Sequence, residues 1–157
     1  SVGHNANYML ELSPDPRGAL PAGDVKAYTA FGEALDRCYR DGGHGVVART
    51  SGAGNELVLP RWTGATVDRV RIAEAGTTRR VRKYEVLAAT GTGGVWTVVA
   101  GGESVGRCRI HRLAKALPPG TRLKLAVTDA IAEPEFRTFE VLNIFGEKGC
   151  MTSTSQQ

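Results

Sequence analysis

Short runs of alternating apolar and polar residues fill most of this 157-residue chain and predict a mainly β protein. In one such run, Leu123 and Leu125 would face a core, while Arg122 and Lys124 between them would face water. Seven or eight short strands separated by glycine- or proline-containing turns are typical of an antiparallel β-sandwich or barrel. The predicted strands span residues 46–48, 56–59, 67–72, 81–87, 95–99, 107–113, 122–127 and 136–142.

The first forty residues have a different pattern. Residues 8–12, Tyr-Met-Leu-Glu-Leu, predict a strand buried on both faces, followed by a turn at residues 14–18. Apolar residues then recur every three or four positions, which predicts an amphipathic helix over 24–40 that Gly42 and Gly43 end. A single strand, loop and helix form one β/α unit, and one unit cannot bury both faces of its strand. The strand therefore requires neighbours from outside this segment.

The charge balance places weak limits on function. Twenty Lys and Arg against sixteen Asp and Glu give a net charge of +4, which is too small to indicate a nucleic-acid partner. The densest basic stretch is interpreted as a solvated face; it contains Arg79, Arg80, Arg82 and Lys83. No stretch approaches the roughly 18–20 apolar residues of a membrane span.

The spacing of the cysteines argues against a structural zinc site, and the sequence predicts no metal and no cofactor. Cys38, Cys108 and Cys150 are far apart, with no Cys-x-x-Cys pair and no ligand-like spacing to histidine. An odd number of cysteines argues against a full disulfide framework. The alternative of one disulfide bridge and one free thiol is left open.

Few residues carry a catalytic signal. His4, His44 and His111 are remote from any recognisable nucleophile motif, so no catalytic triad is predicted. Glu11 interrupts the apolar run 8–12 and could face a barrel lumen or pair with a cation; the structural role is favoured. The glycine-rich residues 91–94 precede a strand rather than a helix, which indicates a hairpin turn instead of a phosphate-binding loop.

Three aromatic residues are candidates for substrate binding. Trp62 and Trp96, with Tyr84, could stack against sugar rings, since aromatic faces suit the C–H faces of pyranoses. Both tryptophans also lie in or beside alternating strands, where aromatic residues normally fill a sandwich core. We favour the core for them.

The N-terminal residues carry a family resemblance. Residues 1–21 place Ser1, Gly3, Asn5, Pro14 and Gly18 in the order of the pattern S-x-G-x-N-x-x-L-L-N-x-x-P-x-x-x-G-x-I-P. This segment, with the Phe-Gly-Glu-Ala-Leu run that follows it, resembles the end of the catalytic domain of glycoside hydrolase family 29 α-L-fucosidases. The remaining residues are similar to the galactose-binding-like β-sandwich that follows the catalytic barrel in that family; the similarity lies in residues 79–87, 96–106, 123–127 and 139–142.

The resemblance implies a fold and a division of the chain. Residues 1–42 would be the last strand and helix of a (β/α)8-like barrel. Residues 43–145 would be a jelly-roll β-sandwich that is truncated or altered at its entry, because only residues 43–55 are available there. Residues 146–157 would be a flexible tail.

The resemblance also implies an activity that this chain does not complete. Family 29 enzymes are retaining glycosidases with an aspartate nucleophile and a glutamate acid/base, both on upstream barrel strands and loops. None of these residues maps onto this sequence, so no catalytic residue is assigned. The expectation is a C-terminal fragment or subunit of an α-L-fucosidase, partnered by an N-terminal catalytic chain and acting on fucosylated glycans. The alternative is a non-catalytic carbohydrate-binding or structural module, and the family implies a lysosomal, vacuolar or extracellular location.

Overall fold

The computed structural model describes residues 3–6, 9–40, 45–91 and 93–145. All eight predicted strands are present, although several ends move by a few residues. The expected helix stop at Gly42 and Gly43 and the tail 146–157 lie outside the described residues. The elements are α1 (Ala22–Tyr39), β1 (Val46–Ala53), β2 (Glu56–Leu59), β3 (Val67–Glu74), β4 (Val81–Ala89), β5 (Thr97–Gly102), β6 (Arg109–Leu117), β7 (Arg122–Ala130) and β8 (Glu135–Leu142).

The strands form two four-stranded antiparallel sheets. Sheet A has the order β1-β8-β3-β6, and sheet B has the order β2-β7-β4-β5. Neighbouring strands pair antiparallel throughout both sheets. The fold is thus the predicted antiparallel β-sandwich preceded by one helix. The turn expected at residues 91–94 lies in the connection between the paired strands β4 and β5.

The inner faces of the two sheets share one hydrophobic core. Ile72 and Phe139 of sheet A and Leu123 and Leu125 of sheet B are fully buried within it. Each such side chain contributes about 1.5–3 kcal/mol on burial. The predicted alternation along β7 is confirmed, because the residues on either side of Leu123 and Leu125 lie on the outer face of sheet B.

A buried carboxylate closes one end of the sandwich. There the β3–β4 and β5–β6 connections pass from one sheet to the other. Glu74, the last residue of β3, is 6% exposed. Its Oε1 accepts hydrogen bonds from the backbone N–H groups of Arg80 (2.6 Å) and Val81 (3.0 Å), and its Oε2 accepts one from Gly106 (2.8 Å). A single side chain therefore joins the two connections.

Two residues of the family-like pattern dock the described N-terminal residues on β6 and on the segment just before it. Gly3 has φ +70° and its carbonyl accepts a hydrogen bond from the Ile110 N–H at 2.8 Å. A Cβ at position 3 would lie 2.3 Å from the Cβ of Ile110, so only glycine fits. Asn5 Oδ1 accepts a hydrogen bond from the Arg107 N–H at 2.9 Å. Gly3 and Asn5 thus hold the N-terminal residues against the sandwich.

The predicted strand at residues 8–12 is not formed over its described residues, 9–12. Residues 9–12 have no regular secondary structure, Met9 is 93% exposed and Leu12 is 41% exposed, while Tyr8 lies outside the described residues. A strand needs a neighbour to accept and donate its ladder hydrogen bonds, and no described strand of this chain lies beside this segment. The predicted turn that follows is present, with Asp15 Oδ1 accepting from the Arg17 and Ala19 N–H groups.

Helix α1 agrees with the predicted helix but touches the sandwich mainly at its end. Asp24 in its first turn and Arg37 in its last turn match the helix dipole. Cys38 is buried against Leu142 and Ile144 and is disulfide-bonded. Among the described residues, Cys108 is a free cysteine. No described helix is long and apolar enough to cross a membrane.

An ion-pair network links the end of α1 to the outer face of sheet A. Glu140 is fully buried; its Oε2 accepts a hydrogen bond from Arg49 Nε at 2.7 Å, and its Oε1 pairs with Arg71 Nε. The Arg71 guanidinium also donates to the carbonyl of Tyr39, the last residue of α1. Because a buried carboxylate is costly without partners, the two arginines and the helix end are held in one arrangement.

We expect Glu74→Ala to lower the free energy of unfolding by about 3 kcal/mol or more, because each hydrogen bond to a charged group is worth about 1.5–3 kcal/mol and three N–H groups lose their acceptor. Urea denaturation would measure the change. The control is Glu135→Ala, whose exposed side chain lies 3.8 Å from Arg80 and should change stability by about 0.5 kcal/mol or less. Equal stabilities of the two variants would contradict the role given to Glu74.

Candidate functional site

The structure separates the three aromatic candidates. Trp62 is 3% exposed and Tyr84 is 1% exposed, so both rings lie in the core and have no face open to a sugar. The Trp62 indole N–H donates to the Ala65 carbonyl at 3.1 Å, which satisfies its polar atom. Trp96 is half-buried at the surface. Sugar stacking stays a prediction, and it can apply to Trp96 alone of the three.

Trp96 lies on the outer face of sheet B among charged side chains. Its ring centroid is 5.2 Å from Arg122 Cζ and 5.0 Å from Lys124 Nζ, which is cation–π contact. The Lys124 ammonium also donates to Glu56 Oε2 at 2.7 Å, and Arg122 donates to the Gly94 carbonyl at 3.2 Å. We call Trp96, Arg122, Lys124 and Glu56 the Trp96 platform.

Strand register brings the platform together. Ala88 pairs with Thr97, and Ala89 pairs with Arg122 on the next strand. Trp96, one residue before Thr97, therefore stands beside Ala89 on the same face. The methyl side chain of Ala89 is only 2% exposed and leaves room for the indole to extend over β4 toward β7.

A second polar cluster lies between the sheets. The hydroxyl of Tyr84 on β4 and Nε2 of His111 on β6 are 2.6 Å apart. Burial raises the pKa of Tyr84, and the nearby Arg109 lowers it. Burial, with the positive charge of Arg109 and His4, lowers the pKa of His111. These directions keep the hydroxyl protonated and the imidazole neutral, so the pair serves as a link between sheets A and B.

Two surface clefts carry charge but form no recognisable catalytic site. A cleft of about 410 Å³ is lined by Asp68, Arg69, Arg112 and Phe145 among others. The Asp68 carboxylate is already occupied by the N–H groups of Ile144 and Phe145. A cleft of about 320 Å³ lies between the β1–β2 and β7–β8 connections. Within the described ranges, no three His, Cys, Asp or Glu side chains are grouped to hold a metal ion.

Sequence reasoning missed the partners of the aromatic residues. The alternation of β7 places Arg122 and Lys124 on the outer face, but it does not show that Trp96 lies over them. That contact depends on the register of β4 against β5 and β7. The proximity of His111 to Tyr84 likewise depends on how the two sheets face each other. Glu11 lies in the exposed segment 9–12.

No protein-family model matches this chain, and no curated protein matches it significantly. Solved structures do match. A protein from Bacteroides thetaiotaomicron, provisionally assigned as an α-L-fucosidase, is 32% identical with a TM-score of 0.78; the match covers 91% of this chain and 32% of that one.

Two further structures share the fold. A family 29 fucosidase from Ruminococcus gnavus in complex with fucose is 19% identical with a TM-score of 0.67, and the match covers 89% of this chain and 34% of that one. A glycoside hydrolase family 29 member from an unknown rumen bacterium is 20% identical with a TM-score of 0.67, with 98% of this chain and 29% of that one covered. This chain thus spans about a third of the length of the proteins it resembles.

The lowered pKa of His111 predicts a pH dependence of stability. Between the folded-state pKa and the unfolded value of about 6.5, the unfolded chain binds a proton that the folded chain does not. The neutral His111 imidazole therefore makes its full contribution to the free energy of unfolding above about pH 6.5. This contribution is lost as the pH falls toward the folded-state pKa. We expect His111→Gln to lose less free energy of unfolding than the wild type between pH 7 and pH 5, measured by urea denaturation.

Tyr84→Phe is the matched control for this pH experiment. It removes the hydroxyl that contacts His111 but keeps the imidazole, so its stability should fall at every pH while the dependence on pH persists. An unchanged pH dependence in His111→Gln would show that other groups cause it.

Proposed function

We propose that this chain is the C-terminal part of a glycoside hydrolase family 29 α-L-fucosidase, in which preceding polypeptide carries the catalytic aspartate and glutamate. The observation that carries the proposal is the match over 91% of this chain, at 32% identity, to only 32% of the Bacteroides thetaiotaomicron protein. The family-like pattern from Ser1 to Pro21 also supports it. The proposed activity of the whole protein is retaining hydrolysis of α-L-fucosides.

The uncovered apolar residues before the sandwich support a missing partner. Leu20 is 41% exposed and Val25 in the first turn of α1 is 46% exposed. The segment 9–12 lacks the strand neighbours that its apolar side chains require. We propose that residues 1–42 complete a (β/α)8-like barrel with the preceding polypeptide, and that residues 43–145 form the accompanying sandwich. Apolar surface of this kind is usually covered by protein.

The proposed location is lysosomal, vacuolar or extracellular. The disulfide bond of Cys38 supports it, because disulfides persist in oxidising compartments. The location otherwise rests on the family resemblance.

Hydrolysis of an aryl α-L-fucoside tests the proposal. We expect turnover by the protein that contains the preceding polypeptide and none by this chain alone, since the paired catalytic carboxylates of a retaining glycosidase would be absent. Turnover by this chain alone would contradict the assignment of the catalytic carboxylates to the preceding polypeptide. A longer protein that is folded but inactive on α-L-fucosides would contradict the fucosidase assignment.

A substitution on α1 tests the barrel interface. We expect Val25→Asp to change the unfolding free energy of this chain by about 0.5 kcal/mol or less, since the side chain is exposed here. In the longer protein the same change should lower fucoside hydrolysis and thermal stability, because it would bury a carboxylate. Lys26→Asp, one residue along and also exposed, is the matched control. Equal behaviour of the two variants in the longer protein would contradict an interface at Val25.

The alternative function is a non-catalytic carbohydrate-binding or structural module within a larger assembly. The Trp96 platform favours its carbohydrate-binding form, because a half-buried indole beside charged hydrogen-bonding groups suits a sugar ring. Glycan binding by a longer protein that never hydrolyses fucosides would select this alternative.

A further inference from the structure

We propose that the Trp96 platform is a binding site for a neutral pyranose unit of a glycan, on the face of sheet B. The site lies within the sandwich and uses no catalytic carboxylate. It deepens the carbohydrate-binding alternative given above by naming the class of ligand, and binding can be measured separately from fucoside turnover.

Beside the Trp96 platform, the outer face of sheet B carries three aliphatic side chains in the same row as Lys124. Val58, Lys124, Leu87 and Val98 occupy paired positions that run in one row across all four strands of sheet B. Val58 is 58% exposed and Val98 is 56% exposed. Strands lie about 4.8 Å apart, so the row is about 14 Å long, which can accommodate a short oligosaccharide beside the Trp96 indole.

The charges of the platform favour a neutral ligand. Lys124 is already paired with Glu56 at 2.7 Å, and Arg122 donates to the Gly94 carbonyl. Glu56 is the more exposed partner of the pair, with a side chain 53% exposed against 20% for Lys124, so an anionic sugar would meet its carboxylate first. Sugar hydroxyl groups can donate to that carboxylate and accept from the ammonium at the same time.

The position of the indole is set before any ligand arrives. Arg122 and Lys124 hold the ring by cation–π contacts, and Lys124 is only 20% exposed. Glu56, with a side chain 53% exposed, remains accessible beside it. A preorganised ring loses little conformational freedom on binding, so stacking contributes more of its energy to affinity.

Titration of the intact chain with glycans of known charge tests the site. Isothermal titration calorimetry with 2′-fucosyllactose and affinity electrophoresis in xyloglucan supply neutral probes, and polygalacturonate supplies an anionic one. We expect binding to at least one neutral probe and none to polygalacturonate. Trp96→Ala should weaken neutral binding at least tenfold, whereas Trp96→Phe should retain part of it because an aromatic face remains.

Phe145→Ala is the matched control. Phe145 is 46% exposed and its ring lies 5.2 Å from Arg69 Cζ, so it is a comparable surface aromatic away from the platform. We expect this variant to bind as the wild type does, and thermal unfolding should show that all variants are folded. No binding to any neutral probe, preferential binding to polygalacturonate, or wild-type binding by folded Trp96→Ala would each overturn the proposal. Fucoside turnover of the longer protein would be unaffected by any of these outcomes.

Discussion

The Glu74 carboxylate holds together the end of the sandwich at which the chain repeatedly changes sheets. It accepts three backbone hydrogen bonds from two connections that are distant in sequence. One connection leads from sheet A to sheet B and the other returns. Buried backbone N–H groups need acceptors, and the Glu74 carboxylate supplies them for Arg80, Val81 and Gly106. The packing of the inner faces depends on both connections closing over the same end of the core.

The two outer faces of the sandwich have different chemistry. On sheet A, the buried Glu140 pairs with Arg49 and Arg71, and Arg71 reaches the end of α1. The described N-terminal residues dock on the same sheet at β6. On sheet B, the charges surround Trp96 at the surface. Sheet A is thus joined to the polypeptide that precedes the sandwich, whereas sheet B keeps a face that a ligand can reach.

In the proposed enzyme, this arrangement would suit a domain that supports a catalytic one. The chain corresponds to about a third of the structures it resembles. Apolar residues before the sandwich, such as Leu20 and Val25, are exposed, and Trp96 lies on the sheet opposite the one that α1 contacts. In the proposed enzyme, hydrolysis would depend on the preceding polypeptide, while the sandwich would add stability and a separate sugar contact.

Alternation and turn residues predicted seven or eight strands, the helix and an antiparallel sandwich or barrel, because these signals are local; the family resemblance favoured the sandwich. They also predicted which side of β7 is buried. Residues 9–12 of the predicted strand 8–12 form no strand for a physical reason: strand formation requires hydrogen-bonding neighbours, and the described chain supplies none beside them. Only the tertiary structure showed that Trp62 is in the core while Trp96 is on the surface, since both follow similar sequence patterns. Strand register and the facing of the two sheets brought Trp96 to Arg122 and Tyr84 to His111, and these pairings join residues too distant in sequence for any local pattern to predict.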